Sequence, residues 1–267
     1  MHDYLKKFLL NELSVFVVGG CGLIGSEICD AVTCAGANTI VLDKIKITNK
    51  KLKKSSSLIW RKFDCSNLNN LEKQFLNIIK EFGVPDILIN CSYPRTRDWG
   101  ENSFKTISLK SFRKNIDIHL NSYAWLAKLT AEEMVKNHKN GNIIQLGSIY
   151  GLIGQDLSVY KNTEMHENMS YATIKGGIHN LTRQMASYYG QFNIRVNTIC
   201  PGGLSGHVAG KSKTQDPHFV KQYIEKTPLK RMGRADEIAS TALFLASEAS
   251  SYITGATIVA DGGWSII

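Results

Sequence analysis

The feature that most constrains this chain is an alternation of short apolar runs with longer stretches of helical spacing, and it opens on a glycine-rich turn. Leu13-Ser-Val-Phe-Val-Val18 is an apolar, β-branched run that stops at Gly19-Gly20, and helical spacing follows from about Leu23 to Ala35. Thr39–Asp43 and Ser57–Phe63 read as the second and third strands, Leu68–Phe82 as a helix and Asp86–Asn90 as the fourth strand. The pattern continues with a helix over Leu109–Asn137, in one or two pieces, then strand Asn142–Leu146, helix Ser170–Tyr189 and strand Ile194–Ile199. A helix over Ala235–Ser247 and a strand over Ala256–Ala260 close it. Strands alternating with helices imply βαβ units, hence a parallel sheet with helices on both faces. The expected fold class is a doubly wound α/β domain.

The turn itself points to a ligand. Gly19-Gly20-Cys21-Gly22-Leu23-Ile24-Gly25 lies between the first strand and the first helix, where backbone N–H groups and the helix N-terminus can reach a pyrophosphate. Asp43 ends the second strand 18 residues beyond Gly25, the place from which a carboxylate bonds both hydroxyls of an adenine ribose. The same carboxylate repels a 2′-phosphate, which favours NAD, while Lys44 and Lys46 keep NADP as the alternative. Asp64, with Cys65 beside it, is placed either to accept from the adenine amino group or to cap the following helix.

Composition removes other classes. A chain of 267 residues with 43% hydrophobic content can bury one large core, and no linker, repeat or low-complexity tract divides it, so residues 1–267 read as a single domain with 1–12 as an N-terminal extension. The first residues mix both charge signs and lack a small-residue cleavage site, and no apolar run approaches the ~20 residues that span a bilayer, so a cytoplasmic location and no membrane partner are expected. Cys21, Cys29, Cys34, Cys65, Cys91 and Cys200 show no metal-like spacing, and no metal is expected. The net charge of +9 owes much to Lys44, Lys46, Lys50, Lys51, Lys53 and Lys54, but no aromatics interleave with them, so a solvated loop is the favoured reading and nucleic acid is not an expected partner.

Tyr171 and Lys175 are four residues apart on a helical stretch and so share one face, where an ammonium can lower a phenol's pKa and fit it for proton transfer. Such a pair also arises by chance on many amphipathic helices. Its weight comes from the company it keeps.

With the glycine turn, Asp43, Asp64, Asn90, Gly147-Ser148, Tyr171 to Lys175, Asn197 to Pro201-Gly202, and Ile253-Thr-Gly255 through Asp261-Gly-Gly263 in order, the chain resembles the short-chain dehydrogenase/reductase family from Val15 to Gly263. The resemblance implies a Rossmann fold and an NAD(P)-dependent oxidoreductase, in which Ser148 bonds the substrate oxygen, Tyr171 gives or takes the hydroxyl proton, and Lys175 bonds the nicotinamide ribose and holds Tyr171 partly ionised. It extends the cofactor site to Asn90, Pro201 and Gly202, and it implies a dimer or tetramer formed through helices 109–137 and 170–189. Departures are informative. Gly19, Gly22 and Gly25 follow the spacing of the extended branch, which includes sugar-nucleotide epimerases and dehydratases, whereas the short stretch after the last strand resembles the compact reductases. Tyr93 stands where the family has a glycine, and His119 falls where a fourth catalytic residue is often asparagine, with Asn115 or Asn121 taking that place if the register slips.

Ser148 and Tyr171 are 23 positions apart, a longer link than in the compact members, and Gln155–Asn168 is mostly polar and expected to loop over the active site. Arg95, Arg97 and Trp99 follow strand four, a set that suits clamping a phosphate or carboxylate while the ring stacks on a sugar face; the alternative is a surface loop paired with Asp98 or Glu101. These two loops resemble oxidoreductases of flagellin-modification and surface-glycan clusters, which implies a polar small-molecule substrate such as a sugar or sugar phosphate. The competing readings are an epimerase or dehydratase, a non-catalytic nucleotide-binding protein, and a 3-ketoacyl thioester as the substrate. Residues 203–227, with Gly206 and Gly210, read as a substrate lid that orders on binding.

Overall fold

A computed structural model describes residues 3–47, 56–206 and 215–267. Seven parallel strands form one sheet: β1 (Ser14–Val18), β2 (Asn38–Asp43), β3 (Leu58–Lys62), β4 (Ile87–Asn90), β5 (Gly141–Leu146), β6 (Ile194–Pro201) and β7 (Thr257–Ala260). Their order is β3-β2-β1-β4-β5-β6-β7, so the direction of winding reverses between β1 and β4. In such a sheet a crevice opens at the carboxyl ends of the strands on either side of the reversal, and ligands bind there.

The expected fold class holds. The central strands read as continuous apolar runs because both of their faces are covered. Val15 and Val17 of β1 face the core beneath α1 (Leu23–Cys34) and α7 (Ala235–Ala246), which contribute Ile28, Val32, Ile238, Ala242 and Leu245. Phe16 and Val18 point the other way, toward α2 (Leu68–Phe82), α4 (Ser122–Lys136) and α5 (Met169–Tyr189) through Leu71, Phe75, Leu126, Met134 and Met185. The N-terminal extension is not wholly outside the fold. Leu10 is fully buried, and its N–H donates to the Ala35 carbonyl.

The stretch expected as one or two helices over 109–137 is α3 (Leu109–Asn115), a π-helical turn over Ile116–Asn121, and α4, without a break. A π turn rotates the residues that follow it about the helix axis, and such turns recur where a helix side chain must be aimed at a site. His119 sits in this one and is fully buried. Of the lysine-rich segment, Lys50, Lys51, Lys53 and Lys54 lie outside the described residues, as does 207–214 of the expected lid. Its described helix, α6 (Pro217–Lys226), is packed down: the N–H of Gly203 donates to the Tyr223 hydroxyl at 2.7 Å.

Candidate active site

The glycine turn is shaped by close approaches of backbone to backbone. Gly19 has φ 77°, a left-handed conformation in which a side chain is strained, and a Cβ there would lie 2.6 Å from Ser92 Cα. A Cβ on Gly25 would strike the Gly19 carbonyl oxygen, so the first turn of α1 lies directly against the loop. α1 begins at Gly22 with no side-chain cap and no acidic residue in its first turn, which leaves its N-terminal N–H groups directed at whatever occupies the turn. Cys21, Leu23 and Ile24 belong to this backbone cradle. Asp43 carries it to β2: its carboxylate accepts from Cys21 N–H at 2.9 Å and Ile45 N–H at 3.1 Å, so one side chain ties the glycine turn to the end of β2. These residues fit a dinucleotide, with the pyrophosphate on the cradle and an adenine ribose at Asp43.

Asp64 does not cap α2, whose N-cap is Asn67. Asp64 Oδ1 accepts from the N–H of Ser66 at 3.0 Å and from its hydroxyl at 2.6 Å, closing a turn before α2. Cys65 is buried in the sheet core beside it. Asn90 also turns inward on its own loop, its Oδ1 accepting from Ser92 N–H and Ser92 hydroxyl at 3.2 and 2.8 Å, and this places Ser92 against Gly19. At the end of β6, Pro201 is the last strand residue and Gly202 N–H donates to Ala260 O, while Gly202 lies so close to Asp261 that a Cβ would meet its Cα at 2.8 Å.

Ser148, Tyr171 and Lys175 converge at the carboxyl end of β5. Ser148 is buried and its hydroxyl accepts from Tyr150 N–H at 3.2 Å while also bonding Tyr171. Asn168 caps α5 by accepting from Tyr171 N–H at 2.8 Å, which fixes the start of the helix one residue pair before the tyrosine. Lys175 is buried, donates to the Leu146 carbonyl at 2.7 Å, and lies 5.3 Å from the Tyr123 ring centre and 5.7 Å from that of Tyr171.

The expectation that Lys175 depresses the Tyr171 phenol is corrected here. Burial pushes that phenol up to about 12, with the Ser148 hydrogen bond pulling it partly back. Burial also pulls the Lys175 ammonium down to about 7, so near neutrality it carries only part of the charge that would stabilise a phenolate.

Around Tyr171 the side chains are aromatic. Tyr93 packs edge-on against Tyr171 at 6.0 Å, Trp99 at 5.7 Å and His119 at 5.4 Å, and Trp99 packs edge-on against Tyr171 at 6.1 Å. The family's glycine is therefore replaced by a ring that walls Tyr171. Arg95 lies 5.6 Å over the Tyr93 ring, and Arg97 is exposed. Of the three candidates, His119 is the one packed against Tyr93 and Trp99 beside Lys175. Asn115 is committed to Thr96, Asn102 and Ser111, and Asn121 bonds Asp117 on the surface. Neither ring nitrogen of His119 has a hydrogen-bond partner among the described residues, and burial with the neighbouring Lys175 pushes its pKa well below the usual range.

Sequence reading missed the polar lattice that holds this wall. Asn102 Oδ1 accepts from Asn115 at 3.1 Å and from the Ser170 hydroxyl at 2.6 Å, and Asn168 Nδ2 donates to the Trp99 carbonyl at 2.9 Å, bolting the loop after β4 to the start of α5. Single asparagines and serines in a loop carry no periodic signal. The Gln155–Asn168 stretch is likewise more than a solvated loop: Val159 is buried, Tyr160 stacks on Phe219 of α6 at 5.9 Å, Gln222 donates to Lys161 O at 2.8 Å, and Asp156 pairs with Lys226. Insert and helix form one cover beside the site.

A parallel sheet with a dinucleotide cradle at its reversal point and a tyrosine–lysine pair at the adjoining strand end defines an NAD(P)-dependent oxidoreductase. A family model described as Enoyl-(Acyl carrier protein) reductase matches residues 22–265. The chain is 30% identical over 270 residues to the Post-translational flagellin modification protein A of Campylobacter coli, covering 97% of this chain and 100% of that one. It is 28% identical over 267 residues to the Galactitol 2-dehydrogenase (L-tagatose-forming) of Cereibacter sphaeroides, covering 99% of each. Among solved structures, a short chain dehydrogenase of Leptospira borgpetersenii with bound NAD+ superposes with a TM-score of 0.85 at 30% identity, covering 99% of this chain and 96% of that one. The chain belongs to the short-chain dehydrogenase/reductase family. No helix among the described residues is long and apolar enough to cross a membrane.

Proposed function

We propose that this enzyme moves a hydride between NAD(H) and a hydroxyl-bearing or keto carbon of a polyhydroxylated substrate, a sugar or sugar phosphate used in building a surface glycan. The observation that carries the reading is the convergence of Ser148, Tyr171 and Lys175 beneath a wall made by Tyr93 and Trp99. Nicotinamide dinucleotide, held by Gly19 to Gly25, Asp43, Asn90, Pro201-Gly202 and Lys175, supplies or accepts the hydride when bound. The chain's own residues handle the proton and the orientation. Ser148 donates to the substrate oxygen, which aims the reacting carbon. Tyr171 delivers a proton to that oxygen in reduction and removes it in oxidation. Lys175 holds the ribose end of the cofactor and lies beside Tyr171. His119, neutral in its buried position, accepts a hydrogen bond from a relay water next to Lys175.

The preference for NAD is supported by the Asp43 carboxylate at the ribose position. The saccharide class is supported by the aromatic edges at Tyr93 and Trp99, by Arg95 and Arg97 on the same loop, and by the relatives named above. Leu109, Trp125 and Tyr188 are large apolar side chains exposed on α3, α4 and α5, which supports self-association to a dimer or tetramer through those helices. Absorbance of reduced nicotinamide, followed with a panel of polyols, ketoses, sugar phosphates and a 3-oxoacyl thioester, tests the reading. Turnover of a polyol or sugar is the expected outcome. Turnover of the thioester alone overturns the substrate class, and no net absorbance change with a converted sugar would mark a redox-neutral epimerase.

A further inference from the structure

His179 is one turn beyond Lys175 on α5, so Tyr171, Lys175 and His179 form a single row facing the end of β5. Lys175 donates to the carbonyl of Leu146, and two residues later the N–H of Ser148 donates to His179 Nε2 at 3.3 Å. Both Ser148 and His179 are almost completely buried, at 5% and 1% exposure, so the Ser148 amide has no water to turn to. Gly147, between these two contacts, is held to glycine by the same ring: a Cβ there would collide with His179 Nε2. The ring is therefore packed against the peptide that leads into Ser148, and it accepts that peptide's hydrogen.

We infer that His179 is a positioning residue for Ser148, fixing through its Nε2 the backbone from which the Ser148 hydroxyl reaches the substrate oxygen and Tyr171. The inference rests on the roles proposed above for Ser148 and Tyr171. An acceptor at Nε2 requires the proton on Nδ1, and the ring must stay neutral, since an imidazolium has only donors. Burial, with Lys175 and then Arg183 as the nearby cations, pulls its pKa down to about 4, so it remains an acceptor across the working pH range. Losing that acceptor leaves the buried Ser148 amide with only the Cys200 thiol beside it, a weak acceptor, and the peptide shifts toward it. The Ser148 hydroxyl, capping Tyr150 N–H from the same residue, moves with it.

The test uses full-length enzyme, NAD+ or NADH, and the panel substrate that gives the largest absorbance signal. His179→Leu, which removes the acceptor, is expected to lower kcat about tenfold or more with the NADH dissociation constant unchanged. His179→Gln, whose Oε1 occupies nearly the place of Nε2, is expected to recover most of the rate, whereas His179→Asn, whose oxygen falls short, is not. In combination with Ser148→Ala, His179→Leu should cost nothing further, because it acts only through Ser148. Ser148 amide exchange should speed up in His179→Leu and return to the wild-type rate in His179→Gln, a readout independent of turnover. Additive losses in the double variant, or equal rates for the Gln and Asn variants, overturn the inference while the roles of Ser148 and Tyr171 stand. Wild-type turnover in Ser148→Ala would remove those roles and this inference together.

Discussion

The two halves of the site are built by different means. Around the cofactor cradle the determining contacts are between backbones: Gly19 on Ser92, and Gly25 on the Gly19 carbonyl, with the Asp43 and Asn90 side chains holding those backbones in place. Around the substrate the contacts are between side chains: the edge-on aromatics about Tyr171, the Asn102–Asn115–Ser170 lattice and the stacked Tyr160–Phe219 pair. Backbone contact leaves no room for a methyl group, so the cradle tolerates almost no substitution. Side-chain contact can be repacked, so the same scaffold can present different pockets over an unchanged cofactor site.

The largest break in this contrast is expected from Gly25→Val. It forces α1 away from the turn, so NADH binding, followed by fluorescence, should be lost, with a destabilisation of about 1–3 kcal/mol by denaturant melting. Retained binding would mean that the cradle is not set by backbone contact. Next is Asp43→Ala, which removes a charged partner and two backbone hydrogen bonds. NAD affinity should fall about tenfold while NADP affinity holds or rises, as measured by titration calorimetry.

A smaller effect follows from Lys175. Its ordinary pKa is 10.5 and burial brings it to about 7 in the folded chain. Between these values the unfolded state binds more protons, so this group makes stability rise with pH across that window and contributes no slope below it. Lys175→Met should flatten the rise in urea midpoint over that range relative to wild type; an unchanged slope would mean the ammonium is solvated. The least effect is expected from Lys226→Met. Its pairing with Asp156 joins the insert to α6 at half-exposed positions, so the loss should be under about 1 kcal/mol. Phe219→Ala, which removes the stacked ring beneath Tyr160, should cost more, and the reverse order would show that charge rather than packing holds the cover.

The same contrast governs what could be read from the chain. The cradle was legible because a glycine at a collision point has no substitute, and because strands buried on both faces must be apolar runs. Tyr171 and Lys175 were legible from helical spacing in the company of the other ordered motifs, and Ser148 from the family resemblance those motifs carry. The rest depends on atoms brought together from distant parts of the sequence. Asp64 carried two readings of equal weight, and its bonds to Ser66 close a local turn that neither reading named. His179 looks like any polar residue on a helix, and only the missing Cβ of Gly147 marks what it faces. Tyr93 stood out only as a ring in the place of the family's glycine, and its packing against His119 and Tyr171 depends on the fold. The phenol's pKa was misjudged because spacing reveals a neighbouring lysine but not the burial that overrides it.

Tyr171→Phe, assayed for NADH binding and for turnover on the same preparation, tests the central claim most directly. The account predicts that binding survives while turnover falls by about 10²–10⁴-fold, because the ring still packs against Tyr93 and Trp99 but has no proton to exchange. Turnover at the wild-type rate would contradict it and place the acid–base chemistry elsewhere in the molecule.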